Sequence, residues 1–305
     1  MVNLMDKMDN IVKLAQVEWW RLKFMDYIDD DILKILLSYA NNDENIRAVL
    51  MEGSRAFGKV DKYSDYDIVY LTKSNEPYFN GGILSFLTDK FGEIAVMQTP
   101  DNGDPHDVYT HLIQFASGVR IDLTFNSLDF LRRVPLESAT VVLMDKDEVF
   151  AGAAPPSDAD FWLNCPSAEE FRNHCNEFWW CSPYVAKAVV RGQTLHALEV
   201  LGECVRKEYA LMLSYLVGVR NNWEHVNPGK HYTNAKHLLP LNETHYYEAL
   251  MNSYVHANDE DINLALDMLM RKYDTLAEII AGELDYTYDS SEAEKTMKFI
   301  NERMI

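Results

Sequence analysis

The chain has 305 residues, enough for two domains of ordinary size, and its 48% hydrophobic and 12% aromatic content sets it apart from disordered proteins. Against 28 Lys and Arg stand 48 Asp and Glu, a formal charge of -20 that divides evenly between residues 1–150 and 151–305. This disfavours a protein that grips a phosphate backbone over a broad basic surface, so no nucleic-acid partner is expected.

The longest apolar run, about Ala210 to Val219, is too short to span a bilayer. The N-terminus, with Asp6 and Asp9, lacks the basic-then-apolar order of a secretory leader. Cys165, Cys175, Cys181 and Cys204 form neither a CxxC pair nor a disulfide framework. A cytoplasmic protein with reduced thiols and no membrane contact is expected.

Residues 11–40 carry apolar side chains at helical spacing (Ile28, Ile32, Ile35, Leu36) until Asn41-Asn42-Asp43 stops the helix. Arg47 to Glu52 then reads as a short apolar strand ended by Gly53, and Asp65 to Leu71 as a second strand, with a loop of about ten residues between them. A helix is predicted over ~83–91, with strands near 93–98, 107–116, 119–125 and 140–144, the middle two joined as a hairpin at Gly118.

The stretch 151–166, rich in Ala and containing Pro155, Pro156 and Pro166, reads as a boundary. Beyond it the pattern is helical almost throughout. Ser167 and Glu170 form a capping box, followed by a helix that Pro183 should end. Further helices are expected from Tyr184 to about Val219, near 243–257 and over 260–281.

Alternation along a strand puts Asp65 and Asp67 on one face. Two neighbouring carboxylates repel unless a cation lies between them, and hard oxygen ligands at this spacing suit Mg²⁺ with a substrate phosphate. In Val119 to Phe125 the residues Ile121, Leu123 and Phe125 make a core face, which turns Asp122 to the other side with Arg120 and Thr124. A bare Asp-x-Asp is weak evidence in so acidic a chain. Its combination with Gly-Ser after one strand and a lone carboxylate on a later apolar strand is far more specific.

These segments, Glu52-Gly-Ser-Arg-Ala-Phe-Gly and Ser64-Asp-Tyr-Asp-Ile-Val-Tyr70, resemble the signature of the polymerase-β-type nucleotidyltransferases. More narrowly, with Cys175-Asn-Glu-Phe-Trp179, Tyr184-Val-Ala-Lys187 and Gly229-Lys-His-Tyr232, the chain is similar to the aminoglycoside 6-adenylyltransferases, also called streptomycin adenylyltransferases, from about residue 30 onward. The first twenty or so residues look like an extension.

The resemblance implies an α+β fold: an N-terminal polymerase-β-like nucleotidyltransferase domain of mixed sheet and helices, residues 1–155, and a C-terminal all-helical bundle, residues 156–305. It implies ATP as co-substrate, two Mg²⁺ ions, and AMP transfer to an aminoglycoside hydroxyl, most directly the 6-hydroxyl of streptomycin, with pyrophosphate leaving in line. Asp65 and Asp67 would hold the metals, and Asp122 would share a metal or act as general base.

On the same reading Gly53 and Ser54 cradle the triphosphate, since glycine lets backbone N–H groups approach an anion, and Arg55 pairs with phosphate. Lys187 and Arg191, four residues apart on one helix face, are candidates for the nucleotide phosphates. Glu177 is a candidate contact for the polycationic acceptor, and the overall acidity favours such a ligand. Oligomeric state is left open. The competing readings are adenylylation of a lincosamide or a protein hydroxyl, and a ligand-binding protein whose catalytic function has been retired.

Overall fold

A computed structural model of the chain describes residues 30–56, 58 and 60–304. The N-terminal part of the helix expected over 11–40 lies outside these residues. The chain divides into two compact units between Asp160 and Phe161.

The first unit is built on a six-stranded sheet of β1 (Ile46–Met51), β2 (Tyr66–Thr72), β3 (Ile94–Gln98), β4 (Val108–Phe115), β5 (Arg120–Ser127) and β6 (Val141–Asp145). Their spatial order is β3-β4-β5-β2-β1-β6. Every neighbouring pair is antiparallel except β2 and β5, which run parallel in the register Tyr66↔Ile121, Asp67↔Asp122, Ile68↔Leu123. The hairpin between β4 and β5 turns at Gly118, whose φ of +93° is open to glycine at no steric cost.

Helix α1 (Asp31–Asn42) starts on Asp30, whose carboxylate accepts the N–H groups of Ile32 and Leu33 at 2.9 and 3.1 Å. It buries Leu33, Leu36 and Ala40. Tyr66, Ile68 and Tyr70 of β2 join these residues in the larger core, on one face of the sheet. Ala48 and Leu50 of β1 with Val69 and Leu71 of β2 make a smaller cluster on the opposite face, covered by Leu128, Leu131, Leu136 and Phe150. Between β1 and β2, where only a loop was expected, Gly53–Ala56 forms one helical turn, α2. Helix α3 (Leu84–Phe91) and the turn α4 (Leu128–Leu131) are the unit's other α-helical segments among the described residues.

The second unit is helical: α5 (Ala168–Val190), α6 (Thr194–Val200), a π-turn at Leu201–Arg206, α7 (Lys207–Arg220), α8 (Ala235–Leu238), α9 (Thr244–Asn252), α10 (Asp259–Leu284) and α11 (Ser290–Arg303). The capping box is present, with the Ser167 N–H donating to Glu170 at 2.7 Å and the Glu170 N–H donating to Ser167 Oγ at 3.2 Å.

Pro183 does not end α5 as the sequence predicts, because the helix runs on to Val190. A proline inside a helix forfeits one backbone hydrogen bond. Here Phe178, Trp179, Ser182, Val185, Ala186 and Val189 on both sides of it are buried, with Phe178 stacked on Tyr273 of α10 at 3.6 Å between ring centroids. Burial of that stripe outweighs the lost bond. Helix α11 has no counterpart in the sequence prediction. It is mostly polar and buries only Ala293 and Ile300 fully, so its apolar period is faint.

The four cysteines are unpaired thiols, Cys175 and Cys181 buried and Cys165 exposed. Among the described residues no helix is long and apolar enough to cross a membrane.

Candidate active site

Strands β1, β2 and β5 lie side by side, and period-two alternation decides what their ends present. On β2, Val69 and Leu71 point to the smaller apolar cluster, so Asp67, two residues earlier, lies on that same face beyond the reach of its cover. Its direct partner in the parallel ladder is Asp122, which alternates with the fully buried Ile121, Leu123 and Phe125. Asp65 precedes the ladder by one residue, on the Asp67 side. The three carboxylates named from the sequence are thus brought together at one end of the β2–β5 pair.

A fourth acidic residue joins them. Glu52 follows Ala48 and Leu50 at the same period, and its backbone N–H donates to the Asp67 carbonyl at 2.9 Å. Sequence reasoning passed it over as the last residue of an apolar strand, although that period would have aligned it with the other carboxylates.

The crowding of negative charge is visible in the acidities. Burial, then the neighbouring charges of Asp122 and Asp65, push the Asp67 carboxyl up to about 6. Burial, then Glu137 and Asp67, push Glu52 up to about 7. Asp65 is also raised, mainly by burial, with the Arg120 charge opposing.

That arginine is the stronger of two cations acting on Asp65 and Asp67, Arg55 being the other. Its Nε and Nη2 donate to the two oxygens of Asp122 at 3.1 and 2.9 Å, while Nη1 stands 3.4 Å from Asp65.

The turn after β1 is shaped around Asp67. Gly53 has φ +70°, and a Cβ at this position would collide with Asp67 Oδ2 and lie 3.2 Å from its Cγ. Glycine is required twice over, for the backbone conformation and for the approach of the carboxylate. Ser54 is exposed on the same turn.

Arg55, expected on a phosphate, contacts its own chain in this structure. It donates to the carbonyls of Asp65 and Ser64 at 2.9 and 3.0 Å, lies over the Tyr66 ring at 3.7 Å, and pairs with Asp30 at 3.7 Å. Tyr66 in turn donates to Asp30 at 2.8 Å. This arginine ties the strand bearing Asp65 and Asp67 to the start of α1.

In the helical unit, Lys187 and Arg191 are both exposed, the first in the last turn of α5 and the second capping its end. Lys187 borders a cleft of about 360 Å³ with Trp180, Tyr184 and Phe299. Glu177 is exposed and accepts the Cys181 thiol at 3.3 Å. The adjacent tryptophans divide: Trp179 is core and donates to the Tyr288 hydroxyl at 3.0 Å, whereas Trp180 is 63% exposed.

Residues 28–303 match the family model described as streptomycin adenylyltransferase. The chain belongs to that family. Its relatives include the aminoglycoside 6-adenylyltransferase of Campylobacter jejuni, 28% identical over 267 residues that cover 85% of this chain and 90% of that protein. Those of Staphylococcus aureus and Bacillus subtilis (strain 168) are 32% and 30% identical, covering 67% and 74% of this chain and 74% and 80% of theirs. The chain is accordingly a nucleotidyltransferase, with the mixed-sheet and helical architecture expected of one.

For this adenylyltransferase the implied metal can be tested against the residues present. Asp65, Asp67 and Asp122 offer only hard oxygen donors, the set Mg²⁺ takes, and the weakened acidity of Asp67, due first to burial and then to the charges of Asp122 and Asp65, is a cost that a bound cation relieves. The donor set fits. Among the described residues no three His, Cys, Asp or Glu side chains are already closed around a point that would hold a metal ion. The Arg120 guanidinium occupies two of the three carboxylates.

Proposed function

We propose that the protein transfers AMP from ATP to a hydroxyl of an aminoglycoside, with the 6-hydroxyl of streptomycin as the acceptor that its family membership favours. The observation that carries this reading is the row of carboxylates Glu52, Asp67 and Asp122 across three adjacent strands, with Asp65 beside it and the Gly53 turn packed against Asp67.

In this reading Asp65 and Asp67 would hold magnesium, two ions in all, and Asp122 would share a metal or take the proton of the attacking hydroxyl. Bound magnesium would supply charge neutralisation on the phosphate oxygens. The acceptor oxygen forms a bond to the α-phosphorus as the bond to the bridging oxygen of the β-phosphate breaks. Pyrophosphate leaves, and the hydroxyl proton passes to a carboxylate.

Backbone N–H groups at Gly53 and Ser54 would cradle the triphosphate, on a turn whose conformation and packing against Asp67 require glycine at position 53. The contribution of Arg55 is to hold this turn and the Asp65–Tyr66 backbone together. Lys187 and Arg191 are the candidate phosphate contacts of the helical unit, and Glu177 its candidate contact for a cationic acceptor. A chain that consumes ATP and keeps four unpaired thiols suits the cytoplasm.

The test is pyrophosphate release with ATP, Mg²⁺ and a panel of acceptors, followed by mass analysis of the product. An AMP adduct on streptomycin alone supports the full reading. An adduct on another aminoglycoside only would move the specificity, and the absence of turnover with every aminoglycoside, from folded protein, would refute it.

A further inference from the structure

Three carboxylates crowded at the end of a parallel strand pair need a positive charge, and the chain supplies one of its own. Arg120 stands two residues before Asp122 on the same face of β5 and spends its whole fork on the cluster: two nitrogens on Asp122, the third facing Asp65. Its side chain is 43% exposed, while those of Asp65 and Asp122 are 34% and 17% exposed, so the guanidinium is more open to solvent than the carboxylates it pairs.

A guanidinium in this position neutralises charge and fixes the spacing of two acidic groups through a planar fork. It also takes up the oxygen lone pairs that a metal ion would use.

We propose that Arg120 is a positioning residue acting as a built-in counter-ion. It holds Asp65 and Asp122 in place before substrate arrives, competes with the metal for them, and is displaced as the metal–nucleotide enters. This inference rests on the reading of Asp65, Asp67 and Asp122 as a magnesium site. It has two consequences that a purely structural arginine would not share. Removing it strengthens the binding of a divalent cation in the absence of nucleotide, and the same cation repairs the stability that its removal costs.

The experiment uses the full chain, with Mn²⁺ as the paramagnetic probe read by electron spin resonance and thermal midpoints measured in EDTA and in Mn²⁺. Arg120→Gln should bind Mn²⁺ about tenfold more tightly than the wild type, because a competing charge in contact with the ligands has gone. Its midpoint should fall in EDTA and recover in Mn²⁺. Arg120→Lys, which keeps the charge and loses the fork, should lie between the two. Arg47→Gln, at the opposite end of β1, is the control for net charge and should leave Mn²⁺ affinity within about twofold of the wild type.

An Arg120→Gln protein whose affinity is unchanged or weaker, or whose lost stability Mn²⁺ does not restore, overturns the proposal. Asp67→Asn separates this failure from failure of the metal site. If wild-type binding of Mn²⁺ disappears in Asp67→Asn while Arg120→Gln shows no gain, the site stands and the counter-ion role falls. If the wild type and Arg120→Gln both fail to bind Mn²⁺, both readings fall together.

Discussion

Asp67 is ionised at neutral pH at a cost, because its carboxyl is raised from 3.8 to about 6 by burial and two neighbouring carboxylates. A raised acid penalises the folded state fully above its folded pKa and not at all below its unfolded one. Asp67→Asn should therefore abolish turnover and yet, in metal-free buffer at pH 7.5, stabilise the fold by about 1–2 kcal/mol after allowance for solvent screening. Below pH 4 the gain should vanish, and melting curves across that range check it.

Glu52 obeys the same sign over a higher window, from 4.5 to about 7. Glu52→Gln should stabilise the metal-free protein at pH 8 by about 1–2 kcal/mol, progressively less through pH 6, and not at pH 4. A Glu52→Gln protein that is less stable at pH 8 would place that carboxylate in a stabilising contact instead. Asp65, Asp67 and Asp122 stood out in the sequence because alternation assigns a face to each and their combination with the Gly53-Ser54 turn is specific. The pairing of Arg120 did not, since an arginine on a solvent-side strand position is ordinary, and only the β2–β5 register sets its guanidinium beside Asp65. The bonds of Arg55 to the Ser64 and Asp65 carbonyls were not legible either, since backbone acceptors carry no side-chain signal.

At the scale of elements, the strand-to-helix turn at Gly53 is where local geometry and chemistry meet. Gly53→Ala should cost about 1–2 kcal/mol of stability for an L residue at positive φ. Turnover should fall more steeply, by ~100-fold or more, because the added methyl displaces Asp67. A proportionate loss of stability and activity, or full activity, would show that the turn does not set the position of that carboxylate. The strands were readable within a residue or two, since β1 and β2 are near-continuous apolar runs buried on both faces and β5 alternates cleanly. Helix α5 was cut too early, because a rule about proline is local and the buried stripe that overrides it belongs to the whole bundle. Helix α11 escaped because it needs only two fully buried side chains to dock.

For the molecule as a whole, the formal charge of -20 has a measurable consequence with a polycationic acceptor. Association should be assisted at low salt, so kcat/KM for an aminoglycoside should fall by roughly tenfold between 0.05 and 0.5 M salt while kcat changes little. A salt-independent kcat/KM would remove the acidity from any part in substrate capture.

The division between Asp160 and Phe161 falls inside the proline-bearing stretch 151–166, where composition changes most sharply along the chain. The parallel ladder between β2 and β5 has one further consequence, in time. Asp67 and Asp122 lie roughly 55 residues apart and become neighbours only when that long-range pairing closes, whereas the β4–β5 hairpin and α5 form from local contacts. On refolding from denaturant, circular dichroism should therefore recover before nucleotide binding does, and the lag between the two signals is the closing time of the β2–β5 ladder.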